Sequence, residues 1–344
     1  MSRHGIGRVA FVGVTGLLLL LVVTGGWLYR DYQQFAAGPM QIPAKATVVV
    51  QAGENLRRIV TELQQRKYTA APFTYWRVLA TAMGVTRVLH VGEYALEPGM
   101  SPSTLLDRIS EGQVVQHMFT IVDGWTFAQL RNSLAHTPGL QHVSAQLSSA
   151  DIALRLGISG GHPEGWFLPQ TYAFVLGESD FDILVRSHQA MQQMLARLWA
   201  QRATGLPITR SYQALILASM VEKETAKPAE RPEIAGVFER RLSIGMRLQS
   251  DPTVIYGLGS AYHGDITFKD LAADTPYNTY TRAGLPPTPI ALPGEPAIQA
   301  VLHPATGKAL YFVADGQGGH VFSDTLAEHN LAVQRYLLHN QTKP

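Results

Sequence analysis

The residues from 212 to 259 hold the densest run of side chains able to do chemistry. The run opens Tyr-Gln-Ala-Leu-Ile-Leu-Ala-Ser-Met-Val-Glu-Lys-Glu-Thr, a pattern that predicts a helix over 211–225. Two carboxyls sit near its end, Glu222 and Glu224. Leu217, Met220 and Val221 lie seven, four and three residues before Glu224, and those spacings share one helix face. Glu224 therefore continues an apolar stripe. Glu222 lies over the more mixed Leu215, Ala218 and Ser219. A carboxyl among apolar neighbours has its ionised form disfavoured, so its pKa rises. A general acid for glycosidic cleavage needs that property. The plain alternative is a last-turn carboxylate, salt-bridged or solvated. A negative charge at a helix C-terminus is mildly unfavourable with the dipole, which counts weakly against a purely stabilising role.

The next stretch reads Ile-Gly-Met-Arg-Leu-Gln-Ser-Asp-Pro-Thr-Val-Ile-Tyr-Gly-Leu-Gly over 244–259. Gly245 is placed to end the preceding helix. Arg247, Gln249 and Asp251 alternate with Met246, Leu248 and Ser250, which in an extended segment puts the three polar groups on one side. There they could bond sugar hydroxyls and N-acetyl groups. A turn at Asp251-Pro252 with Arg247 as its partner fits equally well. Two more stretches mix aromatics with amides and hydroxyls. They are 164–172 (Glu-Gly-Trp-Phe-Leu-Pro-Gln-Thr-Tyr) and 275–287, which contains Tyr277 and Asn278. Carbohydrate has apolar faces and hydrogen-bonding rims, and such a mixture suits it. An aromatic loop core with structural turns would look the same.

The elements that must position these groups belong to an α+β chain. Arg3, His4 and Arg8 precede an apolar run over 9–29, long enough to cross a bilayer as a helix. The basic flank is expected to stay in the cytoplasm as a tail over 1–8, with the bulk of the chain outside. A cleaved signal peptide would have a shorter apolar core and a small-residue cleavage site. Residues 30–46, with Gly38, Pro39 and Pro43, read as a linker. Strand 47–50, helices 56–65 and 73–83, strand 92–96 and helix 101–111 then form a small βααβα block over 47–113. The remainder, 114–340, mixes a strand at 115–122 with helices at 126–135, 180–201, 211–225, 230–244 and 324–339 and a short strand at 310–314.

Composition narrows the function further. Hydrophobic residues make up 46% of the 344 and charged ones 16%, enough apolar material for a core. The formal net charge of +2, from 28 Lys+Arg against 26 Asp+Glu, lacks the basic footprint of a nucleic-acid binder. With no cysteine, thiolate nucleophiles and Cys-type zinc sites are excluded. The 12 histidines form no HExxH pair, which argues against a zinc hydrolase.

Taken together, 164–172, Ala-Ser-Met-Val-Glu-Lys-Glu-Thr at 218–225, 245–259, 277–287, His-Pro-Ala at 303–305 and Tyr-Phe-Val-Ala-Asp-Gly-Gln-Gly-Gly-His at 311–320 resemble the YceG-like family, the endolytic murein transglycosylases of the MltG type. The resemblance covers nearly the whole chain, with several long motifs in the family's order. It implies an inner-membrane anchor, a LysM-like block over 47–113 and a periplasmic catalytic domain over 114–340. It also implies that Glu224, which precedes Thr in Glu-Lys-Glu-Thr, is the catalytic acid and then base. The implied cut is at the MurNAc–GlcNAc β-1,4 bond of peptidoglycan, leaving 1,6-anhydroMurNAc ends, near the synthases that extend the strand. Metal and organic cofactors are not required by that chemistry. Glu222, Arg247, Gln249, Asp251, Tyr277 and Asn278 are the expected substrate contacts. Gln170 stands where the family commonly has Asp, which weakens an acid role at that position. A muramidase-type hydrolase and a non-catalytic peptidoglycan-binding scaffold are the competing readings.

Overall fold

The computed structural model describes residues 3–85 and 89–341; Met1 and Ser2 of the expected tail lie outside the described residues. The chain divides into two compact units. One is Met1–His117 with Val175–Gly177, and the other is Met118–Phe174 with Glu178–Pro344.

The first unit opens with helix α1 (Arg3–Ala37). Its Gly13–Ala37 part is long and apolar enough to cross a membrane. Leu17 through Val23 are all exposed, an all-round apolar surface that water does not favour. The helix does not stop at residue 29. Tyr32, Phe35 and Ala36 pack into the core of the first unit, followed by buried Met40 and Ile42. Apolar side chains at these positions dock the segment expected as a linker instead of leaving it free.

Strand β1 (Ala46–Val50) pairs antiparallel with β2 (Gly92–Leu96), with Ala46 opposite Leu96 and Val50 opposite Gly92. Between them lie α2 (Leu56–Gln65) and α3 (Phe73–Ala82), and α4 (Pro102–Glu111) follows. The order is therefore β-α-α-β-α. Asn55 caps α2 by accepting from Arg58 N–H, and Leu56, Ile59, Val60 and Leu63 form its buried face. Ser101 and Pro102 start α4, and Gly112 at φ 67° ends it in the left-handed conformation that favours glycine.

The second unit is mostly helical. A two-stranded sheet joins β3 (Gln116–Thr120) to β4 (Thr171–Val175), and α5 (Phe127–Ala135) and α6 (Ser149–Arg155) lie between them in sequence. Then come α7 (Asp180–Ala200), α8 (Ser211–Glu224), α9 (Arg231–Ser243), α10 (Asp251–Leu258), α11 (Phe268–Ala272) and α12 (Glu295–Leu302). A hairpin of β5 (Tyr311–Ala314) and β6 (His320–Ser323) and a last helix, α13 (Leu326–Gln341), complete it. Helix α8 is the centre. Every residue from Ala214 to Val221 is buried, because α7, α9, α10 and α12 all pack on it. An apolar sequence with little preference for one face is what such a central helix needs.

Candidate active site

Glu224 is the last residue of α8. The chain leaves the helix at Thr225 in an extended conformation, so the carboxyl stands at the end of a buried rod. Protein surrounds it on most sides, yet part of the residue stays open to solvent. A proton donor needs both conditions: shelter that suppresses ionisation, and access for substrate. Burial pushes its pKa up to about 7. A hydrogen bond from Ser250 and the positive charge of Arg241 oppose the rise, and the negative charge of Asp251 adds to it.

Ser250 Oγ–H donates to Glu224 Oε1 at 2.5 Å. The backbone explains how it gets there. Gln249 sits at φ 51°, a left-handed conformation that residues other than glycine adopt infrequently. This turn breaks the alternation expected across 247–251. Ser250, which an extended segment would put opposite the polar set, turns toward Glu224. Asp251 is not in a strand or an isolated turn; with Pro252 it forms the first turn of α10.

The segment around Thr279 holds the loop in place. Gln249 N–H donates to Thr279 O (3.1 Å), and Ser250 N–H donates to Thr279 Oγ1 (3.0 Å). Thr253 Oγ1 donates to Ser250 O (2.7 Å). Tyr280 O–H donates to Asp251 Oδ1 (2.6 Å), and Arg247 donates to Tyr280 O (3.0 Å). The buried Arg241 side chain, at the end of α9, donates to Leu310 O (2.6 Å) and Leu248 O (2.7 Å) and lies 5.2 Å over the Tyr311 ring. Glu224, Ser250, Asp251, Gln249, Arg247, Tyr280 and Arg241 thus form one connected cluster.

Glu222, Tyr277 and Asn278 are placed differently. The Glu222 side chain is only 5% exposed. It accepts from Arg231 (2.9 Å) and from Gly294 N–H (3.1 Å), which ties α8 to α9 and to the start of α12. Asn278 is 1% exposed. Its amide donates to the carbonyls of Asp270, Leu271 and Ala273, and its oxygen accepts from Tyr280 N–H. Those bonds occupy the group fully as a brace between α11 and the Tyr280 loop. Tyr277 bonds Thr288 (2.8 Å) and packs edge-on to Tyr256 with ring centroids 4.9 Å apart. Gln170 is exposed, and its carbonyl accepts from Ile121 N–H.

A second buried carboxyl stands apart from this cluster. Glu164 accepts from Phe127 N–H (2.8 Å) and from Tyr256 O–H (3.0 Å), and burial pushes its pKa up to about 7. Through Tyr256 it holds α10, the helix whose first residue is Asp251. On the other side of Glu224, Thr225 Oγ1 donates to Glu230 (3.2 Å), which also accepts from the His320 ring (2.8 Å). Burial raises the Glu230 pKa, but the hydrogen bonds from His320 and Thr225 outweigh it and hold the carboxyl below the usual range.

Ser250, Tyr280 and Arg241 are the members of the cluster that sequence reasoning does not single out. Ser250 and Tyr280 fall inside motifs already noted, at 245–259 and 277–287. Arg241 offers only a doublet with Arg240 near a helix end.

The family model of the YceG-like family matches residues 48–335, most of the chain and all of this cluster. The chain belongs to the YceG-like family. Among relatives, a Bacillus subtilis protein named endolytic murein transglycosylase is 28% identical, with 92% of this chain and 91% of that protein covered. A Streptococcus pneumoniae protein of the same name is 27% identical over 91% of this chain, which spans 62% of the pneumococcal length. The crystal structure of a YceG-like protein from Listeria monocytogenes superposes with a TM-score of 0.54 at 30% identity, covering 83% of this chain and 98% of that one. In this YceG-like chain, segments from 245–259 and 277–287 meet at the end of α8, and the start of 311–320 lies against Arg241.

Proposed function

We propose that this chain is an endolytic peptidoglycan lytic transglycosylase, with Glu224 as the one carboxyl that serves as acid and then base. The observation that carries the reading is the state of Glu224. It is partly accessible, its ionisation is suppressed to near pH 7, and one of its oxygens is gripped by Ser250. The names of the Bacillus and pneumococcal relatives supply the substrate class.

In the proposed reaction Ser250 fixes Oε1, which leaves Oε2 to carry the proton. Glu224 protonates the glycosidic oxygen between MurNAc and GlcNAc, and the C1–O bond breaks. The resulting carboxylate removes the proton from the C6 hydroxyl of the same MurNAc, which closes on C1. The product is a 1,6-anhydro end, Glu224 is protonated again and no water is consumed. Glycosidases commonly use two carboxyls, because one must activate water or act as nucleophile. Here the internal hydroxyl is already held beside C1, so proximity takes over that task. Asp251, whose carboxylate is held by Tyr280, is the group that would favour positive charge developing at the sugar ring. Arg247 and Gln249 are both exposed and remain available to sugar substituents.

Helix α1 would anchor the chain in the inner membrane by a single pass, with Arg3 and Arg8 on the cytoplasmic side and the chain that follows the span in the periplasm. The β-α-α-β-α part of the first unit would be the LysM-like module. A membrane anchor would fit termination of strands still being made by synthases. The test is cleavage of uncrosslinked strands in ¹⁸O-labelled water. The proposal expects new ends one water lighter than reducing ends and free of label. Labelled reducing ends would make the chain a muramidase instead.

A further inference from the structure

The stretch 311–320 takes no part in the chemistry assigned to Glu224, yet the hairpin it forms touches the supports of Glu224 at two points. Phe312 packs edge-on to Phe238 of α9, with ring centroids 5.7 Å apart, so the hairpin lies against that helix. At the Tyr311 end, Arg241 donates to Leu310 O (2.6 Å) and lies over the Tyr311 ring. The same guanidinium donates to Leu248 O (2.7 Å) and so reaches the loop that carries Ser250.

At the other end, His320 meets Glu230. Its backbone N–H donates to Oε1 (3.2 Å) and its ring Nδ1–H to Oε2 (2.8 Å). A carboxylate only accepts, so Nδ1 carries the proton. Glu230 Oε2 accepts from Thr225 Oγ1 as well (3.2 Å), and Thr225 Oγ1 accepts from Lys227 N–H (3.0 Å). Thr225 is 5% exposed and directly follows Glu224.

The tip that presents His320 fits closely. Asp315 Oδ1 accepts from Gln317 N–H (2.6 Å) and Gly319 N–H (2.9 Å), which closes the turn. A Cβ on Gly319 would stand 2.5 Å from both Glu230 Oε1 and Lys227 Nζ, and 2.9 Å from Asp315 Oδ2. The Gly319 backbone is outside the left-handed region, so glycine is needed there for space alone. The His320 ring stands edge-on to Phe312, with centroids 5.3 Å apart. The side chains of His320 and Glu230 are both largely buried, so water competes little for the bond between them.

We infer that this hairpin is a clamp on Glu224, and that His320 is a positioning residue which fixes the exit of α8 through Glu230 and Thr225. The inference rests on the transglycosylase reading for the importance of Glu224. Ser250 fixes one oxygen of that carboxyl, but the reach of the side chain also depends on the backbone leaving the helix at Thr225. One hairpin steadies both, the 247–249 loop through Arg241 and Thr225 through Glu230. Misplacement on the order of 1 Å is enough to cost a proton transfer much of its rate.

The test compares the full chain in detergent with His320→Leu, His320→Asn and Thr225→Val. Leucine fills much of the ring's space without a donor. Asparagine places an amide N–H as many bonds from the backbone as Nδ1. The readouts are kcat and KM on uncrosslinked strands, and hydrogen exchange of the amides over 222–230. His320→Leu is expected to lower kcat at least about tenfold with KM little changed, and to speed exchange of that segment at least about tenfold. His320→Asn is expected to recover most of both losses. Thr225→Val is expected to reproduce them, and to do so even if His320→Leu fails to fold. The double variant of His320→Leu and Thr225→Val is expected to be no worse than the poorer single one, because both cut the same chain of bonds. Unchanged kcat and exchange in Thr225→Val or His320→Leu, an asparagine variant as poor as the leucine one, or losses that multiply in the double variant overturns the clamp. A chain that cuts to anhydro ends, with exchange indifferent to His320→Leu, keeps the transglycosylase reading and loses the clamp. A chain that cuts nothing, with exchange raised by His320→Leu and restored by His320→Asn, keeps the clamp and loses the reading.

Discussion

At the scale of single residues the account turns on opposed influences at Glu224. Burial and the charge of Asp251 suppress its ionisation, while Ser250 and Arg241 favour it. A general acid must start protonated, so activity should fall as pH rises through about 7. Two substitutions should move that alkaline limb in opposite directions. Ser250→Ala removes a bond that favours the carboxylate, so the limb moves to higher pH. Asp251→Asn removes a repulsion, so it moves to lower pH, while the amide oxygen still accepts from Tyr280. Shifts of about half a unit to one unit are expected, given that one unit corresponds to ~1.4 kcal/mol. Measuring kcat against pH for the three proteins decides it, and limbs that coincide would contradict this description of Glu224. The helical spacing of Leu217, Met220 and Val221 places Glu224 on an apolar face, but it does not separate Glu224 from Glu222, because Leu215, Ala218 and Ser219 are buried as well. Ser250 was not legible in the same way, because its direction depends on a positive φ at Gln249 that nothing in side-chain alternation encodes.

At the scale of elements, the site is a meeting of the end of α8, the start of α10 and the Thr279–Tyr280 segment. The most exposed liability is Asn278, whose buried amide makes three donations that water cannot replace. Asn278→Ala deprives Leu271 O and Tyr280 N–H of this partner, while Asp270 O and Ala273 O keep backbone donors, and it should cost about 1–3 kcal/mol in a denaturant titration. It should also loosen Tyr280 and with it Asp251. A variant as stable as the parent would mean that the brace does little. Elements with periodic patterns and caps were readable from sequence. The span 56–65 and strand 92–96 match residue for residue, since Asn55 caps the first and Gly92 opens the second. Helix α10 was not readable. Its Asp-Pro start looks like a turn, and its apolar residues meet α8 through tertiary packing rather than a clean local period. The continuation of α1 through Ala37 was hidden for a similar reason. Gly38 and Pro39 mark a break, but only docking of Tyr32 and Phe35 keeps the preceding turns helical.

At the scale of the whole molecule, the buried carboxyls tie folding to pH. Burial raises Glu164 and Glu224 to about 7 and Glu239 to about 8. Each holds in the folded state a proton that the unfolded chain releases near 4.5. Their contribution is therefore fully present below about pH 4.5 and is lost as pH rises through 7 to 8. The thermal midpoint of the full chain should fall between pH 5 and 8, by an amount on the order of a few kcal/mol in stability. Glu239→Gln should flatten part of that decline, since Glu239 Oε1 is buried without a partner. A midpoint that rises across this range would contradict the protonation states on which the site depends. The same buried groups that destabilise the fold at neutral pH give it a usable acid, a trade that functional sites commonly make.

The central claim, that one carboxyl performs both proton transfers, has a direct test. The full chain and its Glu224→Gln variant are incubated with uncrosslinked glycan strands, and the products are weighed by mass spectrometry. The account predicts internal fragments ending in 1,6-anhydroMurNAc from the native chain. From the variant, folded and at least as heat-stable near neutral pH, it predicts no such fragments. Anhydro products from Glu224→Gln at anything near the native rate would contradict it.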